Sequence, residues 1–62
     1  MDILEKNLTL IYTMCNEYGD IAEIKQDEET GRYYSFVEDT PWTSHPDLTV
    51  IVNKMERNGF HF

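Results

Sequence analysis

The sequence predicts a small α+β domain in the order helix, strand, strand, helix: a β-hairpin packed against two helices. Three observations lead there. Apolar residues recur at helical spacing toward both ends of the chain. Between them, two strand-like runs flank an acidic turn that contains a glycine. And 40% of the 62 residues are hydrophobic and 13% aromatic, too apolar for a disordered chain even at a net charge of −7.

The spacing predicts a first helix over residues 3–18. Leu4, Leu8, Ile11, Cys15 and Tyr18 fall four, three, four and three residues apart, one stripe of a 3.6-residue helix. Ile3, Leu10 and Met14 widen that stripe on one side. Asp2 followed by Glu5 fits an N-terminal capping pattern, and Gly19 fits a left-handed C-cap. Residues 20–26 read as a strand, with Ala22, Ile24 and Gln26 on one face and Ile21, Glu23 and Lys25 on the other. Residues 27–32 are the turn, and Gly31 supplies the positive φ of a type I turn followed by a bulge. Residues 32–38 form the return strand, rich in aromatic and β-branched side chains. Tyr34 and Phe36 lie on one face, Tyr33 and Val37 on the other.

Residues 39–44 contain Pro41 and Trp42 and read as a loop. The last helix is expected over residues 45–57, with Ser44 and Asp47 as its cap and Pro46 in its first turn. Its apolar stripe is Leu48, Ile51, Val52 and Met55. Asn58 and Gly59 end it, and the tail Phe60-His61-Phe62 is placed to fold back on the core. A chain of this length makes one domain, here residues 1–62, with a marginal core. Because an isolated hairpin is also marginal, dimerisation that joins two hairpins edge to edge would complete the sheet.

Composition excludes several classes of function. Twelve acidic residues stand against five basic ones, Lys6, Lys25, Arg32, Lys54 and Arg57, and these are scattered. Direct nucleic-acid binding draws on clustered Lys and Arg, and anionic membranes disfavour such a chain. Cys15 is the only cysteine, so no disulfide within the chain is available and a reducing cytoplasm is the expected compartment. The acidic start is unlike a signal peptide, and no apolar run approaches the roughly 18 residues of a membrane span.

Cofactors and catalysis are not expected. The acidic turn Asp27-Glu28-Glu29-Thr30-Gly31 lacks the spacing of oxygens and glycine that an EF-hand loop needs. Cys15, His45 and His61 are not in the close pairs of a structural zinc site. There is no phosphate-binding glycine loop, nucleophile elbow or zincin motif.

Two functional expectations remain. The first is a protein-binding regulator whose acidic face docks on the basic surface of another protein. A target whose basic surface binds nucleic acid would then be inhibited. Glu17, Asp20, Glu23, Glu28 and Glu29 would steer the encounter, and Trp42 would anchor it. The bland alternative for those carboxylates is a solvated face that keeps the domain soluble, and for Trp42 a role in closing the core. The second expectation is a self-assembly module, built by the wide apolar face of the first helix and by the hairpin edge.

Overall fold

A computed structural model describes residues 7–62. Its elements are β1 (Leu8–Cys15), β2 (Ile21–Asp27), β3 (Tyr33–Val37), β4 (Thr40–His45) and α1 (Leu48–Arg57). The four strands form one antiparallel sheet in chain order, β1-β2-β3-β4. The expected helix–hairpin–helix is therefore corrected: the described residues make a four-stranded meander with a single C-terminal helix.

The first correction concerns residues 3–18. Residues 8–15 form a strand, and 16–20 form a hairpin turn. The helical stripe is a coincidence of spacing. Leu8, Leu10, Tyr12 and Met14 alternate equally well with Thr9, Ile11 and Thr13, and Thr, Ile and Tyr favour a pleated surface. Gly19 does take positive φ (85°), but to close a turn. Asn16 organises that turn: its carbonyl oxygen Oδ1 accepts from the Tyr18 and Asp20 backbone N–H groups, and Gly19 N donates to Asn16 O. Asp2, Ile3, Leu4 and Glu5, the rest of that expected helix, lie outside the described residues.

Pairing of β1 with β2 shifts register between Leu10 and Tyr12, so Ile11 is the extra residue of a bulge. The shift changes faces. Tyr12 and Met14 sit opposite Ile24 and Ala22, whereas Leu8 and Leu10 sit opposite Asp27 and Lys25.

The central hairpin follows expectation. Ala22 pairs with Val37, Ile24 with Ser35 and Gln26 with Tyr33. Gly31 has φ 77°, Gly31 N donates to Asp27 O at 2.8 Å, and Asp27 N donates to Arg32 O at 2.9 Å.

The second correction concerns residues 39–44. Thr40–His45 is a strand, reached from β3 through a two-residue turn at Glu38 and Asp39, both with positive φ (50° and 66°). Positive φ at both central positions is the signature of a type I′ hairpin turn, whose twist matches the flanking strands. Pro41 is tolerated because β4 is an edge strand. Ser35 pairs with Thr43 and Phe36 with Pro41, which leaves Trp42 as the extra residue of a second bulge. The buried Ser35 hydroxyl holds this bulge, accepting from Thr43 N and donating to Thr43 O.

The third correction is at the start of α1. The helix begins at Leu48, and its N-cap is Asp47, whose carboxylate accepts from Thr49 N at 2.9 Å. Pro46 precedes the cap, and Ser44 belongs to β4. The apolar stripe is as expected. Ile51 and Met55 are buried, and Leu48 and Val52 pack beside them. Asn58 caps the C-terminus and Gly59 turns the chain at φ 92°.

The core lies between one sheet face and α1. It comprises Met14, Ala22, Ile24, Ile51, Met55 and Phe60, flanked by Tyr33, Val37, Leu48 and Val52. The tail does fold back. Phe60 enters the core, His61 exchanges two backbone hydrogen bonds with Cys15, and the Phe62 ring meets Tyr12 edge-on at 5.1 Å. Thus α1 carries the chain from the β4 edge across the sheet to the β1 edge.

Candidate protein-binding site

Antiparallel order places the two flanking hairpin turns at one end of the sheet and the central turn at the other. The first end gathers Glu17 and Asp20 from the β1–β2 turn and Glu38 and Asp39 from the β3–β4 turn. Glu23 stands two residues into β2. The second end carries Glu28 and Glu29. At a strand rise of roughly 3.3 Å per residue, β2 holds the two ends about 20 Å apart.

Of the six residues the sequence suggests, Glu17, Asp20 and Glu23 are therefore brought toward one another. Glu28 and Glu29 are separated from them by the length of the sheet. Trp42 joins neither group of carboxylates directly. It sits in the β4 bulge, 43% exposed, with the Lys54 ammonium 5.9 Å from its ring centre. The bulge aims the indole at α1, and Lys54 lies in the last turn of that helix. Trp42 thus rests on the helix side chain and still presents an open edge.

At the first end an open cleft of about 300 Å³ is lined by Ile21, Glu23, Glu38 and Asp39. Its geometry comes from an extension of the β2–β3 ladder. Beyond the Ala22–Val37 pair, Glu38 N donates to Ile21 O at 2.9 Å, and the Glu38 carboxylate accepts from Ile21 N at 2.7 Å. That second bond folds Glu38 over the β2 terminus and fixes one wall of the cleft. Asp20 is held in turn by Asn16, whose side-chain amide donates to its carboxylate at 3.1 Å. Ile21 is 45% exposed and floors the cleft with apolar surface. A cation approaching here meets several carboxylates around a hydrophobic centre.

One cation already stands nearby. Lys25 Nζ lies 3.6 Å from a Glu23 carboxylate oxygen and 5.1 Å from the centre of the Phe36 ring. It is the only side-chain ion pair among the described residues. Both partners are partly exposed, so the pair adds little to stability, but it leaves Glu23 less free than Glu17 or Asp39 to meet an incoming charge.

The second end is built differently. Asp27 is buried and its Oδ1 accepts from Glu29 N at 2.8 Å. The Thr9 hydroxyl donates to the Glu28 carboxylate. These carboxylates serve the turn and its join to β1.

Glu38 and Asp39 are the residues that sequence reasoning leaves out of the site. The signal was available. The hairpin register that pairs Ala22 with Val37 sets Ile21 opposite Glu38 one step further on.

Cys15 and His61 are brought side by side in the bridge between β1 and the tail, while His45 ends β4 at the far end of the sheet. No group of three or more His, Cys, Asp or Glu among the described residues is arranged to hold a metal ion. No helix among them is long and apolar enough to cross a membrane. Comparison of the chain with protein-family models, with curated proteins and with solved structures finds no match.

Proposed function

We propose that the protein is a small acidic binding protein that docks its first end, around the cleft of Ile21, Glu23, Glu38 and Asp39, on the basic surface of another protein. The observation that carries this reading is an apolar-floored cleft in which Glu23, Glu38 and Asp39 surround Ile21, at the end of the sheet where the turn of Glu17 and Asp20 also lies. Long-range attraction by Glu17, Asp20, Glu38 and Asp39 would steer the encounter, and Ile21 would be desolvated on contact. Where the target's basic surface binds nucleic acid, occupation by this end would compete with phosphates and inhibit it.

The test is capture of partners from a lysate of the source cell by the immobilised protein, washed at low and then high salt. A basic partner held at low salt and shed as salt rises is expected. Glu17→Lys combined with Asp39→Asn should weaken capture and flatten its salt dependence, since both side chains are exposed and Asn tolerates positive φ. Glu28→Lys combined with Glu29→Lys, at the other end, should leave capture intact. Equal loss in both variants would make the attraction one of net charge alone, and unchanged capture in the first variant sinks the proposal.

A further inference from the structure

The two edges of the sheet are protected to different degrees. β4 carries Pro41, which removes a backbone donor, together with the bulge at Trp42. β1 runs Leu-Thr-Leu-Ile-Tyr-Thr-Met-Cys over eight residues, with no proline and no charge. Proline, lysine and inward-pointing charge are among the means by which an edge strand is kept from pairing with another chain, and β1 has none of them; a bulge, at Ile11, is the one such device it shares with β4.

Part of this edge is already used. Cys15 points its backbone groups outward and pairs with His61, so the C-terminal tail takes the backbone groups of the Cys15 end, and its Phe62 ring reaches Tyr12. By the alternation of an antiparallel ladder, Thr13 also points its N–H and C=O outward. At the other end of β1, Asn7 O accepts from Glu28 N, so Asn7 points inward and Leu8 outward. The bulge at Ile11 is what allows Leu8 and Thr13, five residues apart, both to face out.

That parity has a geometric consequence. An antiparallel copy of the same segment, related by a two-fold axis between Leu10 and Ile11, sets Leu8 opposite Thr13, Thr9 opposite Tyr12 and Leu10 opposite Ile11. Leu8 and Thr13 can then exchange hydrogen bonds, and Thr9 and Tyr12 share the helix-bearing face. Charge favours the same arrangement. In a chain of net charge −7, the acidic turns lie at the two ends of the sheet, so most approaches of one copy to another bring carboxylate against carboxylate. The β1 edge brings no charged residue of its own into such a contact. Leu10 and Tyr12 beside it are 51% and 41% exposed, apolar surface that pairing would cover.

We infer that β1 is a homodimerisation edge, with residues 8–13 of two copies pairing antiparallel about that axis to make one continuous sheet with both α1 helices on the same side. The interface is independent of the acidic cleft, which stays open in both copies.

The experiment is sedimentation of the full chain from micromolar to millimolar concentration, beside a synthetic full chain N-methylated at Thr13. Methylation removes the outward N–H and leaves the side chain in place. The 7.4 kDa wild-type chain is expected to double in mass as concentration rises, and the methylated chain to remain monomeric with an unchanged circular dichroism spectrum. Should the methylated chain fail to fold, Leu10→Lys at its half-exposed position takes its place. By setting two lysines near the axis it should raise the dimer dissociation constant by about tenfold. A wild-type chain that stays monomeric throughout overturns the inference, and so does a folded variant that dimerises as tightly as the wild type.

Discussion

The central turn, residues 27–32, and the β3–β4 turn at Glu38 and Asp39 do the same job by opposite means. The central turn is made by side chains suited to it. Asp27 caps Glu29 N, the Thr30 hydroxyl accepts from Arg32 N, and Gly31 takes φ 77° without a Cβ to oppose it. The β3–β4 turn places two residues that carry a Cβ at positive φ, where Asn and Gly are the ordinary occupants. Its conformation is imposed by the strands on either side and by the Glu38 carboxylate bound to Ile21 N. One turn therefore directs its hairpin, and the other is directed by it. The directed turn is also the one that lines the candidate site. Positive φ and the cleft thus coincide there, while in the central turn the Asp27 and Glu28 carboxylates are hydrogen-bonded within the turn and to β1.

Substitutions test this contrast, and the largest effect should come from the directing turn. Asp27→Ala removes the acceptor of Glu29 N from a buried position, and a loss of about 2 kcal/mol is expected in urea unfolding. Gly31→Ala should cost about 1 kcal/mol. The added Cβ would meet only Gln26 Nε2, at 3.9 Å, an ordinary contact, so the cost is that of the backbone conformation. In the β3–β4 turn the sign reverses. Asp39→Gly should stabilise by about 0.5 kcal/mol, relief of the positive φ exceeding the added freedom of the unfolded chain. Calorimetry should show that gain as a rise in Tm of about 2–4 °C, and a fall would mean that Asp39 makes a compensating contact. The same variant loses a carboxylate from the cleft, so it should bind a basic partner more weakly while being more stable. A parallel change in both properties would dissolve the distinction between the turns.

The legible parts of this chain were those in which local chemistry and final structure agree. The acidic glycine turn, the faces of β2 and β3, the stripe of α1 with its Asn58-Gly59 end, and the returning tail could all be read from residue type and spacing. β1 could not, because Leu8, Leu10, Ile11, Tyr12, Met14 and Cys15 satisfy both a helical and a strand period. The bulge at Ile11 then hides the faces that strand alternation would assign. β4 was masked by Pro41 and by Trp42, whose extra residue breaks alternation within a short strand. In the site, Glu17, Asp20 and Glu23 were legible as neighbours in sequence. Glu38 and Asp39 join them through the pairing of distant segments, and that same pairing carries Glu28 and Glu29 away.

Residue type and local spacing are enough for the acidity that shapes what can approach this protein, for the β2–β3 hairpin, for the amphipathic C-terminal helix and for the absence of a disulfide within the chain. Each of these depends on composition or on contacts within a few residues. Pairing between distant segments makes residues 8–15 extend, makes Thr40–His45 an edge strand, and sets which carboxylates share an end of the sheet. The physical reason is that a strand gains its hydrogen bonds from a partner elsewhere in the chain. For a segment whose apolar pattern fits two periods, the available partner settles the outcome, and β2 offered Ala22 and Ile24 to Met14 and Tyr12.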